Sequence, residues 1–417
     1  MVRPVNAHSQ FAARAVEQIR AEVSAPVAAP ISAPYDFAVT VFHDIAAVES
    51  IWRRFTAAGI ESPGQSFDFI RLWVEDRRIR SADQHYVLGT VNGEPVAILP
   101  LHRKRVHGVR VFTWFPGAHA GCYAPVADIA QLAALGPQGR AQLWRAMAGA
   151  LKGADLAYLR SVPASLGVHG NLFDELGSHL SVETLFRAQF SSWEQCDSEQ
   201  RSRSRRKHDR QQGDRLAALG EVAFEEVTEP VAAHTAVDIM FAQRSARFRS
   251  QGIRDAFVAD HLMGFYHAAL DAGSGVNVRL HVLRLDGAIV AVRYNVVHGD
   301  RMFCLISSMS DCERVQSGSP GKQCLLRVMQ TVFDEGFAIF DMGSGFTDEK
   351  RHWCNVQVPL RQHYLSLSLV GALIVAGHQS YQRLRAWAKG NDRIKALRRM
   401  TRLAIERVTG ARTSDQL

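Results

Sequence analysis

The chain has 417 residues, 47% of them hydrophobic, which suffices for two or three domains that each bury a core. A net charge of +8 and a pI near 9.4 favour anionic partners such as nucleotide cofactors, nucleic acid or acidic lipid. The six cysteines (Cys122, Cys196, Cys304, Cys312, Cys324 and Cys354) form no CxxC pair, no histidines stand as HExxH, and no apolar run reaches the roughly 18 to 20 residues of a membrane span. These features indicate neither a structural zinc site nor a zincin nor a membrane-spanning helix, and the expectation is a metal-free chain in a reducing, cytoplasmic setting.

Residues 1–34, rich in Ala, Val and Pro, suggest a flexible segment with room for one short helix from Gln10 to Glu22. Phe37 to Phe42 predicts a strand, and Asp44 caps a helix with Ile45, Val48, Ile51, Trp52 and Phe55 on one face. A second helix runs from Phe67 to Asp76. His85 to Val91 and Glu94 to Leu101 alternate around Asn92-Gly93, a pair that favours a two-residue hairpin, and Arg110 to Trp114 follows as a third strand.

This meander returns about two hundred residues later. Asn92-Gly93, Val96-Ala97, His107-Gly108 and Phe112 are echoed by Asp286-Gly287, Val290-Ala291, His298-Gly299 and Phe303. The helix GRAQLWRAMAGAL from Gly139 matches GKQCLLRVMQTVF from Gly321 without a gap. The expected organisation is therefore a mixed α/β (α+β) chain with two copies of one domain: a flexible segment (1–34), a first copy (35–195), a basic connecting helix (196–220), a second copy (221–376) and a basic C-terminal helix and tail (377–417). Within the second copy the pattern predicts a strand at Val222 to Val227 and helices around Val237 to Phe248 and from Phe257 to Ala272.

The stretch from Ser317 to Trp353 concentrates candidate chemistry. Ser319 and Pro320 open a helix that carries Leu325, Leu326, Met329, Val332 and Phe333 and ends at Gly336. Its first turn, with Lys322, suits a phosphate or pyrophosphate, and an ordinary capped helix start is the alternative. Gly321-Lys322 is not a Walker A motif, and Gly139-Arg140 occupies the matching position in the first copy. A short strand then ends at Asp341 before a loop with Gly343 and Gly345. A carboxylate there is placed either for catalysis or to accept the loop N–H groups. The first copy has Leu159 at this position, so only the second copy keeps a polar strand end.

Between the copies, Arg201 to Gly220 holds arginines on nearly every face of a potential helix, including Arg206 and Arg210. It is either a solvated helix or a clamp on phosphate groups. Arg361 to Leu369 predicts a last strand, Val370 to Ala376 is apolar but short, and Tyr381 to Val408 predicts a basic amphipathic helix. That helix either packs on the preceding domain or supports peripheral association with a membrane or a polysaccharide synthase.

The order of a basic helix before LAALGEVAFEEV, the hairpin LDGAIVAV, the turn SPGK, the strand end FDMGSG and the tail from Lys350 to Trp353 resembles the CelD/BcsL group of GNAT acetyltransferases. The resemblance covers Phe37 to Leu369 and includes the tandem-domain plan of FemAB-like peptidyltransferases. It implies two GNAT-like domains, each a mixed, mostly antiparallel sheet flanked by helices. The implied activity is acyl transfer, using acetyl-CoA or another acyl-CoA as donor, to a sugar hydroxyl or amine in exopolysaccharide or cellulose production, with no specific nucleic acid as partner. The site residues then divide as follows: Asp341 as base with Lys350 beside it; Met309, Gln316, Ser317, Gly318, Ser319, Gly321 and Lys322 for the acyl-CoA; and Gly343, Gly345, Trp353, Arg206 and Arg210 toward the substrate. The chain departs from the group in two places: the pyrophosphate signature is reduced to Gln316, Gly318 and Gly321, and Glu349 replaces the aromatic residue that often precedes the lysine. An aminoacyl-tRNA-dependent transferase of FemAB type and a non-catalytic binder of anionic polymer are the alternatives.

Overall fold

A computed structural model describes residues 35–390 of the chain, except 117, 118, 168 and 253. The first half begins with strand β1 (Phe37–Phe42). A 3₁₀ turn (Ile45–Val48) follows, started by the Asp44 carboxylate accepting the Ala46 N–H, and leads into helix α1 (Glu49–Thr56). Helix α2 (Phe67–Asp76) is capped by the Ser66 hydroxyl. Strands β2 (Gln84–Val91) and β3 (Glu94–Val106) are joined by Asn92 and Gly93 at φ 52° and 84°, the two left-handed residues of a type I′ turn. Strands β4 (Val109–Thr113) and β5 (Val126–Ala127), helices α3 (Ile129–Ala134) and α4 (Gly136–Ala150), and strand β6 (Leu156–Pro163) follow. The small pair β7 (Ser165–Leu166) and β8 (His169–Gly170) precedes the long β9 (Ser178–Gln189).

Two helices connect the halves. The basic stretch does not form one helix from Arg201: α5 (Trp193–Gln200) stops first, and α6 (Arg203–Ala217) restarts behind the Ser202 cap. The second half holds β10 (Val222–Glu226), α7 (Pro230–Ser250), α8 (Ala256–Ala259), α9 (Met263–Ala268), β11 (Asn277–Leu285), β12 (Ala288–His298), β13 (Arg301–Met309), α10 (Glu313–Gln316), α11 (Pro320–Asp334), β14 (Ile339–Ser344), α12 (Asp348–Trp353), β15 (Val356–Ser366) and α13 (Leu369–Gly390). The single helix expected from Phe257 to Ala272 is broken, because His261 adopts φ 51° and interrupts the helical run. Asp286 and Gly287 turn at φ 48° and 77° between β11 and β12, as Asn92 and Gly93 do between β2 and β3. The apolar Val370 to Ala376 and the start of the basic helix form one element, α13, not two. The helices expected at Gln10 to Glu22 and beyond Gly390 lie outside the described residues.

The strands form one mixed sheet in the order β1-β2-β3-β4-β6-β15-β9-β14-β13-β12-β11-β10, with β5 paired to β3. Its two wings mirror each other. In the first, β4 and β6 run parallel, joined by the crossover through α4; in the second, β13 and β14 run parallel, joined by α11. The strands that complete the wings are exchanged: β9, from the first half, pairs with β14, and β15, from the second half, pairs with β6. Because β15 also pairs with β9, the sheet is continuous across the centre. One apolar core under the second wing gathers α11 (Leu325, Val328, Met329), β12, β14 and the connector through Cys196 and Leu216.

Candidate functional site

The parallel pairing of β13 and β14 covers only Arg301 with Ile339, Met302 with Phe340, and Phe303 with Asp341. Beyond it, β13 runs on to Met309 against β12, while β14 bulges against β9 after Asp341 and turns at Gly343 and Gly345, with φ 79° and 81°. The facing edges of Cys304–Met309 and Met342–Ser344 are therefore unpaired with each other, and Asp341 stands where they part.

Asp341 is 4% exposed and doubly engaged. Its Oδ2 accepts from Arg187 Nε at 2.8 Å, and its Oδ1 accepts the Gly343 N–H at 2.8 Å. The loop-capping role foreseen as an alternative is thus present, together with a buried ion pair. Arg187 also donates to Glu61 Oε2 at 2.7 Å, and Glu61 Oε1 accepts from Arg301 at 2.9 Å. Two carboxylates and two guanidiniums thereby form one chain that ties the loop after α1, β9, β13 and β14 together. Burial alone would lower the Arg187 pKa, but the facing Asp341 and Glu61 outweigh it and hold the guanidinium charged. Cys122, against the Glu61 carbonyl, has its thiol pushed up to about 12 by burial and stays protonated.

Lys350 on α12 donates to the Ser344 carbonyl. Burial lowers its pKa, against the opposing pull of Cys304, Asp341 and Glu349 nearby. Glu349 accepts from Arg293 Nη2 at 3.3 Å, and the same nitrogen donates to the Gly321 carbonyl at 3.1 Å. Arg293 is 4% exposed and lies against Cys304. A line of contacts therefore runs from the start of α11 through Arg293 to Glu349, next to Lys350, whose charge in turn feels that of Asp341.

At the start of α11, Pro320 takes the first helical position as expected, but Ser319 does not cap with its side chain. Ser319 sits at φ 50°, and its hydroxyl accepts from Gln212 of α6 at 2.8 Å. Helix α6 packs directly on this turn. A Cβ on Gly318 would lie 2.7 Å from Leu216 Cβ, and Gln323 donates to the Asp209 carbonyl at 2.7 Å. Met309 packs on Gly321, Gln316 and Ser317 are exposed, and Lys322 is exposed. No ion-pair partner of Lys322 stands among the described residues. Its counterpart Arg140 is buried and forms a two-pronged pair with Glu175. The matched Gly-Lys/Arg pairs therefore serve different ends in the two halves.

The residues assigned to the substrate are not gathered together. Arg206 is held by Asp197 at 2.8 Å, which leaves Arg203, Lys207, Arg210 and Arg215 as the exposed cations of α6. Trp353, expected to wall an acceptor pocket, is 4% exposed and packs in the core against Trp193 and beneath Arg201, so its ring supports α12 instead. Gly343 and Gly345 flank Ser344, with Gly345 N–H donating to the Thr184 carbonyl at 3.1 Å. A cavity of about 1240 Å³ lies instead in the first wing, between Trp73 of α2, His102 and Lys104 of β3, Tyr158 and Arg160 of β6, and His378 of α13.

Arg187, Arg293, Arg301 and Glu61 were missed in the sequence. Arg187 in LFRAQF and Arg293 in VAVRYNVV stand inside short apolar runs, and a cation in such a run is itself a sign of a buried partner. Glu61 lies in an irregular loop without any comparable sign.

Residues 203–351, from α6 into α12, match the acetyltransferase (GNAT) domain family. No curated protein matches the chain. Among solved structures, the C-terminal domain of a putative lysylphosphatidylglycerol synthetase from Agrobacterium fabrum is similar over 80% of this chain and 94% of its own, at 16% identity and a TM-score of 0.47. FemX is similar over 72% of this chain and 96% of its own, at 11% identity and a TM-score of 0.47. A tandem GNAT protein from the clavulanic acid biosynthesis pathway is similar over 80% and 98%, at 11% identity and a TM-score of 0.43.

Proposed function

We propose that the second wing transfers an acyl group from acyl-CoA to a hydroxyl or amine of a sugar, in exopolysaccharide, cellulose or cell-envelope biosynthesis. The observation that carries this reading is the parting of β13 and β14 at Asp341, within the stretch that matches a GNAT domain. Unpaired strand edges offer backbone N–H groups to a thioester carbonyl, and Met309 ends the edge beside the first turn of α11. The exposed Lys322 and the positive end of α11 favour the donor's pyrophosphate, and the exposed Arg210 adds to the positive charge of α6, which packs on the same turn.

In the reaction the acceptor oxygen or nitrogen attacks the thioester carbonyl, the carbon–sulfur bond breaks, and the CoA thiolate leaves. The acceptor proton passes to Asp341, whose orientation is fixed by Arg187 and Gly343. Lys350, readier to release a proton because it is buried and within electrostatic reach of Asp341, is the residue we assign to hold the charged intermediate or protonate the thiolate. The sugar acceptor and its pathway rest on the likeness of FDMGSG and the Lys350 tail to the CelD/BcsL group.

Calorimetric titration of the full chain with acetyl-CoA tests the reading. Saturable binding weakened by Lys322→Ala is expected, and a protein that neither binds nor turns over any acyl-CoA overturns it. Tight tRNA binding abolished by joint replacement of Arg203 and Arg210 would favour aminoacyl transfer instead.

A further inference from the structure

Helix α13 is amphipathic in an unusual sense, because it has two apolar faces. One is packed. Ile374 and Val375 join Val111, Leu156 and Tyr364, the His378 ring meets the Tyr364 hydroxyl at 3.0 Å, and Gly371 lies so close to the Asp155 carbonyl that a Cβ would collide with it. The other face is bare. Leu369, Val370, Leu373, Tyr381, Leu384 and Trp387 are 87%, 56%, 76%, 58%, 61% and 59% exposed. The steps 370, 373, 377, 381, 384 fall at three and four residues through Gly377, so these side chains form one stripe about five turns long rather than scattered exposures. Exposed apolar patches of this extent mark an interaction surface.

The charge carried by the chain along and after the stripe indicates what covers it. Residues 377–417 hold ten Lys or Arg against three Asp or Glu, a surplus of seven in a chain whose whole net charge is +8. Arg383 and Arg385 are exposed on α13 itself. The cavity walled on one side by Ile374, Val375 and His378 carries Arg78, Arg80, Lys104 and His107 on its other walls. A second copy of the chain would bring these like charges together, and no helix among the described residues is long and apolar enough to cross a membrane. An apolar stripe with Leu, Tyr and Trp, flanked by arginines and continuous with a strongly basic segment, matches a helix that lies in a lipid–water interface.

We propose that α13 seats the protein on an anionic lipid surface, with its bare stripe entering the acyl boundary and the basic residues beside it meeting the headgroups. This surface is separate from Asp341 and Lys350 and does not depend on the reaction proposed for them.

Co-sedimentation of the full chain with phosphatidylcholine vesicles, with and without phosphatidylglycerol, tests the proposal. Binding is expected to the anionic vesicles only, to weaken as salt rises, and to fall on the order of tenfold or more when Arg383 and Arg385 are changed to Glu together. Leu373→Glu with Leu384→Glu should abolish it. Both sites are exposed, so folding should survive, which an unchanged circular dichroism spectrum and melting temperature would verify. Failure to sediment with anionic vesicles at low salt overturns the proposal. So does binding that persists in the Leu373→Glu, Leu384→Glu variant. A dimer of the parent chain that this variant converts to monomer would also overturn it, by assigning the stripe to self-association.

Discussion

Arg187 and Asp341 face each other across the antiparallel ladder of β9 and β14, with Nε and Oδ2 2.8 Å apart and both side chains 6% exposed. The equivalent place in the first wing, on β6 and β15, is filled by Leu159 and His363. The charged pair is thus a property of the second wing alone, and one partner is supplied by the exchanged strand. Two halves that shared only a surface could separate with little cost; here a buried charge on one depends on a buried charge from the other.

Arg187→Ala would leave Asp341 and Glu61 buried without their shared counter-charge. A loss of about 3–5 kcal/mol is expected, because breaking one side of a buried pair exposes the full cost of the other. Urea unfolding of the two proteins measures it, and a loss below about 1 kcal/mol would show the network to be solvated rather than sealed.

Lys322→Ala and Asp341→Asn separate donor binding from proton transfer. The first should raise the Michaelis constant for acyl-CoA more than it lowers turnover, since Lys322 is exposed at the helix start and in the proposed site would meet only the donor's phosphates. The second should lower turnover by about a hundredfold or more if proton removal limits the rate. It also weakens the pairing with Arg187, so the comparison is made per folded molecule, with the melting temperature recorded on the same preparation. Unchanged turnover with a lowered melting temperature would leave Asp341 as a structural anchor.

Gly318→Ala probes the contact between the basic helix and the start of α11. Its Cβ would fall 2.7 Å from Leu216 Cβ and 3.0 Å from the Leu216 backbone, and backbone has little room to yield. A destabilisation of about 1–3 kcal/mol is expected, as for other overpacked sites. If donor phosphates bind at this turn, the displaced α6 should also weaken acyl-CoA binding, as calorimetry would show.

The hairpins at Asn92-Gly93 and Asp286-Gly287 were legible because each pair satisfies a local backbone demand, two positive φ angles in succession. The helix from Pro320 to Asp334, and its end at Gly336 with φ 80°, were legible for the same kind of reason. Asp341 could be picked out as a polar end to an apolar strand. Its partner could not, since Arg187 lies 154 residues away and reaches it only because β9 and β15 exchange places. Strand order is set by tertiary pairing, and no local pattern in Ser178–Gln189 records which neighbour the strand will take. Trp353 fails in the opposite direction. An aromatic residue near a proposed site looks the same in sequence whether it lines a pocket or, as here, fills the core beside Trp193.

His281 and His363 set an acid limit on the fold. Both are 0% exposed, and burial lowers each pKa to about 4, from an ordinary value of 6.5. Nδ1 of His363 bonds the Leu176 carbonyl, and Nδ1 of His281 meets the Asn295 amide, so each ring has one nitrogen engaged while neutral. Well above pH 6.5 neither the folded nor the unfolded chain charges these rings, and their contribution is intact. As pH falls from 6.5 toward 4 the unfolded chain takes up protons that the folded one refuses, and stability drops, by about 2 kcal/mol per ring at pH 5. Urea unfolding at pH 7 and pH 5 should show the fall, and His363→Gln, which can keep the donor to Leu176 but cannot titrate, should make the difference between the two pH values smaller. An equal difference in the parent and the variant would mean that His363 is reached by water and charges in the folded protein.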